Sequence, residues 1–315
     1  MTAFSLAFLL IGCAALPVPV IRGPQTDFDT ALISHYAYTP QTMTPTPIEV
    51  DQRDGYSIQR LTLQGTGKTD SEPLRIDWYK PDSPGPHPVI LISPILAGDD
   101  LYINSFAKHF AAKKLHGVIV YRPEIAFKPD KPLTEVERHF QESILLLRKT
   151  IDLAEHEPSM DADRMGAFGI SLGSNLITIL SAVEPRVKAQ VLALPSGRIA
   201  EIIMQTKDKS ILKKRDAYLR EQGWTKAEGL SQLREAVISD PIEFGAGVPQ
   251  ENTMVIAAVF DRVVGFHRSM ALWRTLGRPQ LMLLPTGHYT AALMTPLMKV
   301  AATSFLKRRL DNPLD

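Results

Sequence analysis

Short, nearly uninterrupted apolar runs recur along the chain between residues 87 and 285: "HPVILIS", "GVIVY", "RMGAFGI", "AQVLALP", "TMVIAAVF" and "QLMLLP". An uninterrupted apolar run of this length reads as a strand buried on both faces. Stretches with helical spacing separate most of them. Phe106 and Phe110 precede "GVIVY", with Leu115 closing that stretch, and Val136, Phe140, Ile144, Leu147 and Ile151 precede "RMGAFGI". Strand–helix alternation demands parallel pairing through crossovers, so the chain is predicted to be an α/β protein with a doubly wound, mostly parallel sheet. Two earlier segments, "YSIQRLTLQ" and "LRIDWYK", alternate apolar and polar as antiparallel, half-buried strands do, which makes the sheet mixed.

Helix boundaries carry signals of their own. Thr134 and Glu137 read as a capping box, and Thr295 followed by Pro296 reads as the start of a last helix reaching about Arg309. One block breaks the alternation. Residues 198 to about 240 read as consecutive helices with no strand between "AQVLALP" and "TMVIAAVF", an insertion that would sit on the sheet as a cap. Within it Ile202, Ile203, Met204, Leu212 and Trp224 are placed either to line an acyl pocket or to pack the cap helices on the core, the commoner use of an apolar helical stripe. Asp240-Pro241 reads as a helix stop.

Function in such a sheet collects at the carboxyl ends of the strands. Three chemically apt residues arrive there. Ser171 follows "RMGAFGI" inside "FGISLGS", flanked by Gly169 and Gly173; Asp261 follows "TMVIAAVF"; His288 follows "QLMLLP". A serine hydroxyl needs an adjacent base to become a useful nucleophile, histidine serves near neutral pH, and an aspartate orients the imidazole. Small residues two positions either side of a serine suit a crowded strand-to-helix turn. The segment after "AQVLALP", "PSGR", carries no carboxylate, which leaves Asp261 as the acid, although an aspartate there can also cap the next helix. His109, His139 and His267 fall inside helices, and His35, His87, His116 and His156 precede strands or sit in linkers, away from that edge.

The order serine, aspartate, histidine, with "DADRMGAFGISLGS" and "FDRVV … LLPTGHY", resembles the α/β-hydrolase superfamily from about residue 56 to 308, most closely its dienelactone-hydrolase and acyl-esterase branches. The resemblance implies a serine hydrolase cleaving a carboxylic ester, with Ser171 as nucleophile, His288 as general base and acid, and Asp261 as orienting acid. The same machinery also serves peptidases, thioesterases and acyltransferases, and a silent binding protein on this fold is a further alternative. It implies an oxyanion hole from the Leu172 amide and from the loop "SPILAGDD". Pro94 has no N–H, so Ile95 is the expected donor there, with Leu96 next.

The chain opens "MTAFSLAFLLIGCAAL", an apolar stretch ending at Cys13, the single cysteine. That stretch resembles a bacterial lipoprotein signal peptide, residues 1–12 being removed and Cys13 lipidated, although no Lys or Arg precedes the apolar run. The implied location is the bacterial cell envelope, anchored to a membrane through Cys13. If the segment is instead a buried N-terminal strand or helix, the location is cytoplasmic. Residues 13–50 carry Pro17, Pro19, Pro24, Pro40, Pro45 and Pro47 and read as a tether or as an arm wrapped over the domain of residues 51–315.

With 35 basic against 34 acidic residues the formal charge is +1, so no nucleic-acid partner is expected. Neither His-Glu-x-x-His nor a Gly-x-Gly-x-x-Gly after a strand is present, and no metal or organic cofactor is expected. The expected partner is a small-molecule or lipid-like ester. Oligomeric state is left open.

Overall fold

In a computed structural model, residues 28–40, 46–63, 74–96, 100–122 and 128–312 are described. Cys13, the apolar stretch before it and the first prolines lie outside the described residues, as do residues 97–99 of the "SPILAGDD" loop. The strands are β1 (Thr46–Arg53), β2 (Tyr56–Leu63), β3 (Leu74–Pro81), β4 (His87–Ser93), β5 (His116–Val120), β6 (Met160–Ile170), β7 (Val187–Ala193), β8 (Thr253–Ala258) and β9 (Gln280–Leu284). They form one nine-stranded sheet in the order β1-β2-β3-β5-β4-β6-β7-β8-β9. The pairs β1–β2, β2–β3 and β3–β5 are antiparallel, and every pair from β5–β4 to β8–β9 is parallel. The sheet is therefore mixed, with its parallel half where the apolar runs fall.

Helices cover both faces. On one side lie α1 (Ala31–His35), α3 (Thr134–Glu155), α4 (Leu172–Val183) and α9 (Phe266–Thr275). On the other lie α2 (Asp100–Ala111) and α10 (Thr295–Asp311). Alternate strand residues feed the two cores. Leu91 and Val118 face Phe140, Ile144 and Leu180, whereas Ile90, Ile92 and Ile119 face Phe106, Phe110 and Phe305. Phe168 stacks on Phe106 at 4.7 Å between ring centroids, tying α2 to β6. Burial on both faces is why these strands carry uninterrupted apolar runs.

Between β7 and β8 run α5 (Ile199–Gln205), α6 (Lys209–Gln222), α7 (Lys226–Ala236) and the short α8 (Pro241–Phe244), with no strand among them. Asp240 does not simply stop a helix. It is the N-cap of α8, accepting from the Ile242 amide at 3.1 Å. The same carboxylate accepts from the Arg198 and Ile199 amides, each at 2.7 Å. One side chain thus clips the two ends of the insertion together. Burial pushes its carboxyl up, against the pull of those amides.

The N-terminal segment adds two elements absent from the sequence reading, α1 and the edge strand β1. Residues 28–40 lie on the domain: Tyr36 is fully buried, and its carbonyl accepts from Arg148 Nη1 at 2.7 Å. Arg148 also donates to Glu184 at 3.0 Å, and Arg186 bridges Glu184 at 2.7 Å to Asp152 at 2.8 Å. Burial pushes the Glu184 carboxyl up, but the two guanidiniums hold it below the usual range.

Two predicted caps are absent. Thr134 makes no capping bond in α3; Glu137 instead accepts from the Ser239 amide at 2.9 Å, from Ser239 Oγ at 2.7 Å and from His35 Nε2 at 2.6 Å. A carboxylate bound by three donors, each 102 residues away in sequence, has no reason to turn back to its own helix start. In α10 the N-cap is Met294, and Thr295 is already helical, its hydroxyl donating to the Ala292 carbonyl at 2.5 Å.

Candidate active site

Ser171 stands at the turn from β6 into α4 with φ 54° and ψ −121°, a positive-φ conformation that a non-glycine residue rarely adopts. Its backbone is held on both sides. The Ser171 amide donates to the Ala193 carbonyl of β7 at 2.9 Å, and its carbonyl accepts from the Ser174 amide at 2.9 Å and from Ser174 Oγ at 2.6 Å. The flanking glycines have a steric cause. A Cβ on Gly169 would stand 2.4 Å from the Gly173 backbone, and one on Gly173 would stand 2.1 Å from the Ser93 carbonyl oxygen. The first turn of α4 is thus pressed against the ends of both β4 and β6, and only hydrogen fits between.

Ser171 Oγ lies 3.0 Å from His288 Nε2, and His288 Nδ1 lies 2.7 Å from Asp261 Oδ2. A carboxylate only accepts, so Nδ1 carries the proton, Nε2 is the acceptor, and the Ser171 hydroxyl donates to it. The other carboxylate oxygen, Oδ1, accepts from the Val263 and Val264 amides at 2.9 and 3.1 Å. Both partners are enclosed, with side-chain exposures of 10% for His288 and 1% for Asp261. Burial pushes the Asp261 carboxyl up, but His288 and the two amides outweigh it and hold it below the usual range. Gly265 takes the N-cap position of α9, so Asp261 is not that helix's cap.

Leu172 is the first residue of α4, where the amide has no partner within the helix. Leu172, Ile95 and Leu96 all border the same cleft as Ser171 and His288. A residue the sequence reading passed over holds this loop: Arg122 Nη2, just beyond β5, donates to the carbonyls of Ile95 at 2.9 Å and Leu96 at 3.2 Å. Its signal was its place, a charged residue at the carboxyl end of a strand, the same edge that carries Ser171. Tyr289 was also missed. Its hydroxyl donates to Asp208 of the cap, joining the histidine loop to the insertion, and that carboxylate, aided by partial burial, pushes the phenol up to about 12.

The cleft encloses about 660 Å³. Val136 and Phe140 of α3 line its depth, and Ile199, Ile202, Ile203 and Ile211 line its cap side. Of the five cap residues that the sequence left open, Ile202 and Ile203 border the cleft. Met204 packs toward Leu219 and Gly229, and Trp224 lies 6.0 Å from the Tyr218 ring, both within the cap. Leu212 does not border the cleft; its neighbour Ile211 does.

The histidines set aside from sequence lie elsewhere. His116 is fully buried, accepts from Trp78 Nε1 at 2.9 Å and donates to the Ser159 carbonyl at 2.7 Å. Burial pushes it down to about 4, against the Ser159 bond. Among the described residues, no three His, Cys, Asp or Glu side chains gather as metal ligands would, and no helix is long and apolar enough to cross a membrane.

No family model matches the chain. Esterase FrsA of Escherichia fergusonii is 28% identical over 113 residues, which is 35% of this chain and 26% of that protein. The chain thus matches about a quarter of the length of this curated relative. Among solved structures, the acetyl xylan esterase from Paenibacillus sp. R4 superposes with a TM-score of 0.71 at 14% identity, covering 91% of this chain and 97% of the other. Acetyl xylan esterase 1 from Thermoanaerobacterium sp. JW/SL YS485 superposes with a TM-score of 0.66 at 14% identity, covering 88% and 94%. The likeness spans nearly the whole of both structures. The chain has the α/β-hydrolase fold.

Proposed function

We propose that the chain is a carboxylic ester hydrolase that works through an acyl-enzyme on Ser171. The observation that carries this reading is the unbroken hydrogen-bond path from Ser171 Oγ through His288 to Asp261 at a strained strand-to-helix turn. Ser171 Oγ adds to the ester carbonyl carbon while its proton passes to His288 Nε2. The carbonyl π pair moves to oxygen, facing the Leu172 amide and the Ile95 amide of the Arg122-held loop. Collapse breaks the bond to the alcohol, which leaves with the proton from His288. Water then repeats the sequence on the acyl-enzyme, releasing the carboxylic acid and restoring Ser171. Asp261 keeps the imidazole in the tautomer that accepts at Nε2 and stabilises the imidazolium. The three similar proteins named above carry esterase names, which supports an ester over an amide. Attachment to a membrane through Cys13 is a separate proposal that rests on the sequence pattern alone.

The test is a rapid-mix assay with a p-nitrophenyl ester. An acyl-enzyme gives a burst of nitrophenol no larger than the enzyme concentration, followed by slower turnover. The expected result is ester turnover in the wild type and its loss in Ser171→Ala. Equal turnover by Ser171→Ala would exclude the mechanism.

A further inference from the structure

We infer that the cleft under the cap is an acyl-chain site, and that the substrate is an ester of an apolar carboxylic acid of medium length rather than an acetate. This rests on the ester-hydrolase reading and adds the substrate class to it. The cleft of about 660 Å³ begins at Ser171. At about 30 Å³ for a water-sized group, it holds about twenty such groups, and an acetyl group would fill only a corner. Its inner wall is apolar: Val136 and Phe140 from α3, and Ile199, Ile202, Ile203 and Ile211 from the cap. The polar pair deeper than Ser171 is spent on itself. Asn175 Nδ2 donates to Ser196 Oγ at 3.2 Å, and Asn175 Oδ1 accepts from the Ser196 amide at 3.0 Å. The cap also brings Asp208 and Lys214 to the cleft, where Asp208 accepts from the Tyr289 hydroxyl; the isoleucines, Val136 and Phe140 are the part of the wall that rewards methylenes.

Direction follows from the order of release. The alcohol departs first, while the acyl group stays bonded to Ser171 until water arrives. The leaving group therefore belongs toward the open side, where Tyr289 is exposed. The fragment that remains belongs against Val136 and Phe140, which are almost fully buried. Leu96 and Tyr289 border the cleft and are exposed, so the open side also carries apolar surface. If the alcohol takes half of the cleft, the other half holds an acyl chain of about ten carbons.

The experiment compares kcat/KM for p-nitrophenyl acetate, butyrate, octanoate and palmitate, and for acetates of alcohols of increasing length. It uses the wild type, Ile203→Trp and Ile211→Trp, with thermal melts confirming that each variant folds. Titration of the wild type with octanoate and with acetate reads the cleft without turnover. Octanoate should exceed acetate in kcat/KM by about 100-fold, since methylenes in an apolar pocket act at this scale. Octanoate should bind more tightly than acetate. At least one folded tryptophan variant should lower the octanoate-to-acetate ratio by about tenfold or more. Acetate as the best substrate, a preference seen only in the alcohol series, or unchanged ratios in both folded variants would overturn the acyl site. If no ester is hydrolysed, the ester-hydrolase reading falls, and octanoate binding no tighter than acetate would separately overturn the apolar site.

Discussion

His288→Ala lowers ester turnover by about 10⁶-fold, the scale at which serine hydrolases respond to loss of their base. Without the imidazole the Ser171 hydroxyl loses the acceptor that stands 3.0 Å away to take its proton, and the hydroxyl is a weak nucleophile by itself. Asp261→Asn is expected to cost about 10⁴-fold, because an amide can donate to Nδ1 and so turn the ring to the wrong tautomer. KM should move far less than kcat in both variants, since neither side chain supplies the apolar wall. Steady-state assays with a p-nitrophenyl ester measure all of this. Loss of less than tenfold in His288→Ala would remove His288 from the mechanism. A pH effect on stability accompanies it. The Asp261 carboxyl is held low in the folded chain, so its stabilising share is complete above the ordinary aspartate pKa. That share is lost as pH falls through the depressed folded value. Chemical denaturation at a series of acid pH values should show this loss in the wild type and less of it in Asp261→Asn.

Gly173→Ala is the second large effect, and it touches no reacting atom. The added methyl would stand 2.1 Å from the Ser93 carbonyl oxygen and 2.9 Å from the Pro94 carbonyl oxygen, both backbone atoms. Something must yield. The first turn of α4 carries Ser171 and Leu172, so a shift there separates the serine from His288 and the Leu172 amide from the Ile95 loop. A misplacement of about 1 Å costs about 100-fold in rate, and overpacking costs about 1–3 kcal/mol in stability. The measurements are kcat/KM and a denaturant melt on the same preparation. Wild-type values in both would show that the close contact between α4 and the end of β4 is not needed.

The parallel half of the sheet was legible because both of its faces are buried. Strands such as β4, β5 and β8 must be apolar at nearly every position, and that leaves a mark that needs no knowledge of the fold. β1 left no such mark. It is an edge strand with Ile48 and Val50 exposed, it begins beside Pro45 and Pro47, and its pairing with β2 defines it. The three polar residues that meet at the site were legible through their places after β6, β8 and β9. Arg122 follows the same rule after β5 and was passed over because its partners are backbone carbonyls, which no residue type reveals. The capping box at Thr134 failed because Glu137 is claimed by Ser239 and His35, contacts that exist only once the chain is folded. In the cap, helical spacing marked an apolar stripe but not its rotation. Ile203 and Met204 are neighbours in sequence, and only the first borders the cleft.

Labelling with a fluorophosphonate tests the activated serine most directly, because the reagent needs a nucleophile deprotonated by its neighbour and needs no knowledge of the substrate. The folded wild type at neutral pH should take up about one label per chain, the adduct should map by peptide mass spectrometry to the segment containing Ser171, and Ser171→Ala should take up none. A folded wild type that is never labelled, or a Ser171→Ala variant labelled like the wild type, would contradict it.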